Sequence, residues 1–379
     1  MKSKDKTTPR RLPFLSRMMF FPVQSIFALV HVILSTLAPQ MEPTVSMFVA
    51  SGFFGVLPIV LFAFFGMVGV ALELTGICSF SEFARWIVAP LFVLYVVQIL
   101  LLDQTHTTVE NSGAVLPTNA FERACASFFW AFNDYMENYT TCIPWAKDAK
   151  LPTGDDDPAY VFGCHPHGIH CSGLLELSNP YNQFAKLFPN VAGLELTGLA
   201  ATVIFKIPVV RELFLLMGYI DASRSVASKA LAAGQSIFVC VGGEEESLLT
   251  TAGKDIYVLQ HRKGFVRLAL SHGASLVPVL GIGTNDAYTT YSFLLKPRIW
   301  IQKTFGVALP IFHGRWFTPL PHLVPIKIVV GEPIPTPRPQ VPGSKPSEES
   351  VKKYHAMYIE AVRKLHAKHA SKDTELIIH

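Results

Sequence analysis

Three histidines and two cysteines lie close together in residues 160–173, the stretch YVFGCHPHGIHCSG. Imidazole takes up and releases a proton near neutral pH, and both imidazole and thiolate are ligands that zinc prefers. The stretch therefore indicates either proton-transfer catalysis or metal binding. A structural zinc site usually has a second ligand pair a dozen or more residues away, and none is evident. A third interpretation is that the histidines only form hydrogen bonds within a loop.

The local sequence places this cluster at the end of a strand. Residues 160–162 have the composition of a buried strand, whereas Gly163, Pro166 and Gly168 interrupt a regular ladder. We therefore expect the imidazoles to lie on a loop held by a sheet, where reactive side chains concentrate. The imidazoles concerned are those of His165, His167 and His170.

Acidic residues follow a second predicted strand, residues 237–241, after the glycine pair Gly242 and Gly243. The acids are Glu244, Glu245 and Glu246. If parallel strands bring this sheet edge beside the histidines, one carboxylate can hold an imidazole in the right tautomer. The alternative interpretation is a solvated acidic turn.

Cations precede a predicted helix over residues 265–271. Arg262 and Lys263 stand before Gly264, and two cations beside the free N–H groups of a helix start form a plausible phosphate cradle. Further cations come earlier in the chain: Arg211 and Arg224. For each of these residues the alternative is a surface salt bridge.

The composition predicts a membrane protein. Half of the 379 residues are hydrophobic and the mean hydropathy is positive, which is too apolar for an ordinary cytosolic protein. The net charge of +4 excludes a dedicated nucleic-acid binder with a strongly basic face. The six cysteines lack the spacing of a disulfide scaffold, so we expect free thiols in a reducing compartment.

The apolar excess is confined to a predicted membrane module, residues 18–103. Residues 1–17 form a basic tail, which the positive-inside rule keeps in the cytosol. Three runs without charged residues follow: 18–39, 43–72 and 86–102. Three full crossings would separate the tail from the rest of the chain. If the rest of the chain uses a cytosolic substrate, the number of membrane crossings must be even. The run that contains Pro58 is then the candidate for a re-entrant hairpin that does not cross the membrane.

The rest of the chain is predicted to consist of an amphipathic connector (104–158), a globular domain of ordinary size (159–370), called the body below, and a short tail (371–379). β-Rich runs alternate with helical segments in the body, which predicts an α/β fold with a mixed or largely parallel sheet covered by helices. The predicted strands are 160–162, 237–241, 276–280 and 326–330, and the predicted helices include 226–233 and 265–271. A final helix after the N-cap Ser347 has an apolar stripe and is predicted only to pack.

An ordered set of motifs resembles one family, the type-2 diacylglycerol acyltransferases with their monoacylglycerol and wax-alcohol relatives. The resemblance covers roughly residues 160–365 and includes FG-HPHGI at 162–169, VGG-ESL at 241–248, RKGFV at 262–266, LVP at 276–278, FHGR at 312–315 and VVGEPI at 329–334. Two features depart from the family pattern. Thr284 stands where the family has Glu, and the N-terminal membrane region is longer than the usual hairpin.

The resemblance implies a glycerolipid-acyltransferase-like fold with His167 as catalytic base and His165 as its support. Glu246 would orient His167 or position the hydroxyl. Four glycines would belong to the loops that surround the oxyanion of the transition state: Gly168, Gly242, Gly243 and Gly264. The cations Arg211, Arg224, Arg262 and Lys263 would bind the phosphates of acyl-CoA.

The resemblance further implies transfer of an acyl group from acyl-CoA to diacylglycerol at the endoplasmic reticulum membrane, or on lipid droplets, with the catalytic body in the cytosol. No cofactor or metal would be needed, and the partners would be acyl-CoA, diacylglycerol and the lipid bilayer, without nucleic acid. Whether the chain forms homo-oligomers is left open. The alternatives are a monoacylglycerol or long-chain-alcohol acyltransferase and, because of Thr284, a non-catalytic lipid-binding membrane protein.

Overall fold

The computed structural model describes residues 139–152, 159–178, 182–191, 196–207 and 210–379. The basic tail, the predicted membrane module and the first part of the connector lie outside the described residues. Within the described ranges, no helix combines the length and the apolar character that a membrane crossing requires. The chain divides into two compact units, one of which contains residues 205–216, whereas the other contains the remaining described residues.

The strands in the described residues are β1 (Thr140–Ile143), β2 (Tyr160–His165), β3 (Leu196–Ala200), β4 (Tyr219–Asp221), β5 (Ser236–Cys240), β6 (Lys254–Tyr257), β7 (Ser275–Ile282), β8 (Thr289–Tyr291), β9 (Ile311–His313), β10 (Ile326–Val330) and β11 (Glu375–Ile378). The helices are α1 (Ser172–Ser178), α2 (Gln183–Leu187), α3 (Val210–Leu216), α4 (Arg224–Ala232), α5 (Glu244–Leu249), α6 (Gly264–His272), α7 (Leu295–Phe305) and α8 (Glu348–His369). Short 3₁₀ helices cover Thr202–Lys206, Thr284–Ala287 and Arg315–Phe317.

Seven strands form the main sheet in the order β1-β10-β7-β2-β5-β3-β4. The five strands from β7 to β4 are parallel, whereas β10 runs antiparallel to β7 and β1 runs parallel to β10. Every residue of β2 and β7 is buried, as expected for central strands covered on both faces. The predicted mixed, largely parallel α/β sheet is confirmed.

The predicted elements of the body are present with small shifts at their ends. All four predicted strands occur, as β2, β5, β7 and β10, and the two named helices occur as α4 and α6. The sheet also includes β1, which the sequence analysis assigned to the connector, and β11 of the tail pairs with β6. Both are four-residue strands, too short for their composition to distinguish them from loops.

The final helix, α8, begins where its capping residue predicts. The Ser347 hydroxyl accepts a hydrogen bond from the Ser350 N–H at 3.1 Å, which satisfies a donor that the first turn leaves unpaired. Val351, Tyr358 and Val362 are fully buried in the core of the sheet unit. The apolar stripe therefore packs the helix onto the sheet.

One expectation about the cysteines is wrong. Cys171 and Cys240 form a disulfide, whereas Cys142 and Cys164 are free thiols in the interior. The two bonded residues are 69 positions apart. Sequence spacing could not indicate the pair because the pairing of β2 with β5 brings the two segments together.

Candidate active site

The candidate site lies where three neighbouring strands end. β2 ends at His165, β5 ends two residues before Gly242, and β7 ends two residues before Thr284. These strands are adjacent and parallel in the order β7-β2-β5, so their carboxyl ends meet at one edge of the sheet. That edge is where open α/β sheets bind ligands. The structure therefore brings the histidine loop and the acidic loop together.

His167 is held in the tautomer that a general base requires. Its Nδ1 lies 2.8 Å from the carbonyl oxygen of Gly168, which can only accept, so Nδ1 carries the proton and Nε2 carries the lone pair. No hydrogen bond within the described part of the chain reaches Nε2, and the residue is half-buried. The ring can therefore receive a proton from a substrate at Nε2.

Glu246 positions the histidine loop through the backbone. Its Oε2 accepts the N–H of His167 at 2.6 Å, and its Oε1 accepts the N–H of Val258 at 2.7 Å. The residue is 1% exposed, so both bonds form in a low-dielectric interior. A Cβ on Gly242 would overlap the Glu246 carboxyl group, which explains the glycine at this position. The sequence predicts that Glu246 orients His167 or positions the hydroxyl, and in the structure its carboxylate contacts the main chain of His167.

His165 is the imidazole that Glu246 approaches. His165 is 1% exposed, its ring stacks on Tyr257 with centroids 5.3 Å apart, and its Nδ1 lies 3.8 Å from Glu246 Oε1. Its Nε2 lies 3.2 Å from the hydroxyl oxygen of Tyr358. That hydroxyl donates its single proton to the carbonyl of Gly163 at 2.9 Å, so His165 Nε2 must donate to Tyr358. His165 is thus fixed inside the protein, in a supporting position.

Tyr358 is the residue of the site that sequence analysis missed. It lies on α8, which was predicted to have only a packing role, and 193 residues separate it from His165. A Cβ on Gly163 would overlap the Tyr358 hydroxyl, so the glycine permits this close approach. The one available signal was a tyrosine within an apolar stripe, because a buried phenol usually finds a polar partner.

We expect Tyr358→Phe to lower kcat roughly tenfold, because one buried hydrogen bond to the supporting imidazole is lost. The KM for substrate should stay unchanged, since the hydroxyl contacts protein groups only. Tyr354→Phe is the matched control on the same helix, at a half-buried position. Steady-state kinetics and thermal unfolding of both variants test this. Equal kcat values in the two variants would show that the Tyr358 hydroxyl does not position His165.

His170 is a weaker base than an ordinary imidazole. Burial, and then the neighbouring His167, lower the pKa of His170 to about 4, so its ring is neutral. The ring packs edge-on against Tyr288 with centroids 5.3 Å apart. This histidine therefore contributes packing to the loop.

Thr284, which departs from the family motif, forms part of the wall behind the histidine loop. Its hydroxyl hydrogen-bonds the hydroxyl of Ser172, the first residue of α1. A Cβ on Gly168 would lie 2.8 Å from the Thr284 methyl group, and Gly168 has a φ of 58°, which favours glycine. The contacts of His167 and Glu246 described above form with threonine at this position.

A second buried polar group supports the same edge. Asp255 Oδ2 accepts from His366 Nε2 at 2.9 Å, and its Oδ1 accepts from Asn285 Nδ2 at 3.2 Å. The Tyr257 ring contacts both His366 and His165, with centroids 6.3 and 5.3 Å apart. The group therefore braces the end of α8 against the ring on which His165 stacks.

The predicted cation group is dispersed. Arg262 Nη2 pairs with Glu245 Oε2 at 3.2 Å on the surface, beside the helix that carries Glu246. Lys263 precedes the first residue of α6. Arg224 begins α4 after β4, three strands and so about 14 Å from β2. Arg211 is buried on α3, in the other compact unit.

The remaining predicted glycines open helices. Gly243 has a φ of 61° and precedes α5, where the left-handed backbone favours glycine. Gly264 is the first residue of α6, with open space around it. Among the described residues, no group of three or more His, Cys, Asp or Glu side chains could hold a metal ion.

The chain is similar to known acyltransferases. The family model described as diacylglycerol acyltransferase matches residues 115–378. Human 2-acylglycerol O-acyltransferase 3 is 40% identical over 243 residues, which are 60% of this chain and 68% of that protein. Human diacylglycerol O-acyltransferase 2 is 38% identical over 259 residues, 64% of each chain. Human acyl-CoA wax alcohol acyltransferase 2 is 35% identical over 238 residues, 59% of this chain and 69% of that protein.

The 1-acyl-sn-glycerophosphate acyltransferase PlsC of Thermotoga maritima is among the solved structures that match. The match covers 80% of this chain and 98% of that chain, with 16% identity and a TM-score of 0.34, which is too weak to support an inference. The family model, by contrast, spans well over half of the sequence and includes every residue of the site. The protein is an acyltransferase, and its chain belongs to the diacylglycerol acyltransferase family.

Proposed function

We propose that the protein transfers a fatty acyl group from acyl-CoA to the free hydroxyl of diacylglycerol and so makes triacylglycerol. The observation that carries this proposal is the hydrogen bond that His167 Nδ1 donates to the Gly168 carbonyl, which leaves the lone pair on Nε2. A ring held in this way presents a basic Nε2 at the edge of the sheet where ligands bind. Family membership supplies the class of reaction.

The chemistry needs only protein side chains and two substrates. His167 Nε2 removes the hydroxyl proton as the acceptor oxygen attacks the thioester carbonyl carbon. The carbon–sulfur bond then breaks, and the protonated His167 returns the proton to the departing CoA sulfur. Glu246 keeps His167 in place through its N–H group, and His165 supports the loop from the interior. The products are triacylglycerol and CoA.

The surface cations are proposed to attract the phosphates of acyl-CoA. Arg262 and Lys263 precede α6, which leads into β7, so they lie at the level of the strand ends that form the site. The guanidinium of Arg262 is partly exposed and its ion pair with Glu245 is a surface pair, which a phosphate can replace at little cost. Arg224, at the same edge but three strands from β2, is a less favourably placed candidate. Arg211 is fully buried, which makes it a weaker candidate.

A second candidate acceptor is monoacylglycerol. It is favoured by the 40% identity to a protein named 2-acylglycerol O-acyltransferase 3, and the wax-alcohol relative extends the set to long-chain alcohols. An additional acyl chain changes an apolar pocket by little that sequence motifs record. The acceptor must therefore be measured.

The proposed location is the endoplasmic reticulum membrane, with access to lipid droplets and with the catalytic body in the cytosol. The basic residues 1–17 and the charge-free runs 18–39, 43–72 and 86–102 support this location, because acyl-CoA is a membrane-impermeant cytosolic donor. An even number of crossings would place the tail and the histidine loop on the same side.

Microsomes from cells that express the chain test these proposals together. Labelled acyl-CoA is supplied with diacylglycerol, monoacylglycerol or a long-chain alcohol, and we expect diacylglycerol to be esterified fastest. Faster esterification of monoacylglycerol or of the alcohol would replace the proposed acceptor. A folded protein without transfer to any acceptor would favour a non-catalytic lipid-binding role. Added protease should digest both residues 1–17 and the catalytic body in sealed microsomes, and protection of either would contradict the topology.

A further inference from the structure

Exposed apolar side chains are concentrated between residues 289 and 323. Six of them define what we call the apolar face: Tyr291, Phe293, Leu294, Leu309, Ile311 and Phe317. Phe293 is 68% exposed and Phe317 is 83% exposed. Single exposed apolar residues are normal on a soluble surface, whereas a local group of large ones marks a binding surface.

The apolar face is part of an ordered substructure. β8 and β9 pair in antiparallel fashion and place Tyr291 opposite Ile311. The guanidinium of Arg298, which is 6% exposed, donates to the carbonyls of Tyr291 at 2.6 Å and Leu309 at 3.3 Å. A buried cation on α7 thus fixes the main chain at both ends of the segment that joins β8 to β9.

Backbone strain holds two of its residues outward. Leu294 has a φ of 52° and Phe317 a φ of 57°, in the left-handed region that large side chains rarely occupy. The Phe317 ring stacks on His313 with centroids 4.4 Å apart, and His313 in turn contacts Tyr291 at 5.7 Å. These unfavourable backbone conformations are not compensated by burial of the side chains within the protein. This points to an external partner that covers them.

The positive charge of the segment that carries the apolar face indicates an anionic partner. Residues 287–331 contain no Asp or Glu, whereas they contain five Lys or Arg residues. Lys296 and Lys303 are exposed on α7. A segment that carries aromatic side chains and cations, and no acids of its own, suits the interface of a bilayer that contains anionic lipids.

The same segment contacts both loops of the site. The Tyr288 ring packs against His170 in the histidine loop, with centroids 5.3 Å apart. The N–H of Ala308 donates to Glu244 Oε2 at 3.1 Å, in the acidic loop. A surface that touches the bilayer here would be mechanically joined to the loops that hold His167 and Glu246.

We propose that the apolar face inserts into the headgroup region of an anionic bilayer and brings the strand ends of the catalytic unit to the membrane surface. This inference deepens the proposed function and rests on it only because the acceptor is taken to be dissolved in the bilayer. The contact is additional to the predicted N-terminal membrane module. The lysines of α7 select for anionic lipid, and the aromatic and aliphatic side chains provide the insertion.

Photocrosslinking of the full chain tests the contact without relying on activity. The chain is placed in vesicles of phosphatidylcholine with phosphatidylserine and carries p-benzoylphenylalanine in place of Phe317 or, as a control, in place of Val341, which is 66% exposed outside the face. We expect crosslinks to labelled lipid from position 317 and few from position 341. Equal lipid crosslinking at both positions, no lipid crosslinking at 317, or crosslinking there to a protein would overturn the proposal.

Kinetics on two presentations of the acceptor give the second test. Phe293→Ser with Phe317→Ser should raise the KM for acceptor in anionic vesicles by about tenfold. Lys296→Gln should reduce the preference for anionic over neutral vesicles by about fivefold. The matched control, Val341→Ser with Met357→Ser, also removes two exposed apolar side chains and should change neither value.

The kinetics of the same variants are also measured with acceptor dissolved in neutral detergent micelles. This measurement distinguishes failure of the membrane contact from failure of the proposed function. There the face variants should turn over as fast as the wild type, because insertion is not needed. An equal loss in vesicles and micelles would assign the effect to folding or chemistry and would overturn the inference. If the wild-type protein transfers to no acceptor in either system, the proposed function fails, whereas the crosslinking result still decides the membrane contact.

Discussion

Replacing His167 with alanine is expected to lower kcat by roughly two to four orders of magnitude, the usual loss for a general base. The affinity for acyl-CoA should be nearly unchanged, because Nε2 is proposed to act on the hydroxyl of the acceptor. The backbone N–H that Glu246 accepts remains in the variant, so the loop keeps its anchor. Single-turnover transfer at saturating acyl-CoA, with acyl-CoA binding measured separately, distinguishes a lost base from lost binding.

The other histidines of the loop provide the comparison. His165→Ala should cost less activity, since His165 supports the loop from the interior, and His170→Ala should cost least, because its ring is neutral and packs against Tyr288. If His165→Ala and His170→Ala were both severely impaired while His167→Ala kept its rate, the assignment of the base would be wrong. Simultaneous loss in all three, together with inactivation by chelators and copurified zinc, would instead establish metal ligation.

Glu246→Ala is expected to reduce both activity and stability strongly. Two backbone N–H groups, those of His167 and Val258, would lose a buried carboxylate acceptor. Each unsatisfied buried donor costs about 1–3 kcal/mol, so for two donors we expect a decrease of about 2–6 kcal/mol in the free energy of unfolding. The histidine loop would lose its anchor, and kcat should fall by about a hundredfold or more.

Glu246→Gln and Glu245→Ala complete this test. The glutamine oxygen can accept one of the two N–H groups, but its amide nitrogen would face the other, so an intermediate loss is expected. Glu245 forms only a surface pair with Arg262, and its removal should change the free energy of unfolding by about 1 kcal/mol or less. Denaturant unfolding measures both. Similar stability of the Glu246 and Glu245 alanine variants would refute the anchoring role.

The sheet was predictable because its central strands are buried on both faces. Continuous apolar runs such as 160–162 and 276–280 can satisfy that environment only as inner strands, and they occur as β2 and β7. The meeting of the histidine and acidic loops followed from the rule that parallel strands end at the same edge. Short edge elements such as β1 were missed because four residues carry too little pattern.

Several contacts of the site could not be predicted because they depend on three-dimensional direction. A sequence does not show whether Glu246 points to a side chain or to a backbone N–H, and in the fold it accepts the N–H of His167. Tyr358 looked like one member of an apolar stripe, although only its ring is apolar. The apolar face was hidden for the opposite reason, since Phe293 and Phe317 resemble core residues until their exposure is known.

Chemical rescue of the His167→Ala variant by imidazole tests the central claim most directly. If His167 is the base, added imidazole should restore part of the transfer rate, and more basic substituted imidazoles of similar size should restore more of it. The rate of the His165→Ala variant should not depend on the basicity of added imidazoles. In the wild-type protein the His165 ring lies in the closed interior and takes no substrate proton. Rescue of His165→Ala in place of His167→Ala, or a His167→Ala variant as fast as the wild type, would contradict the claim.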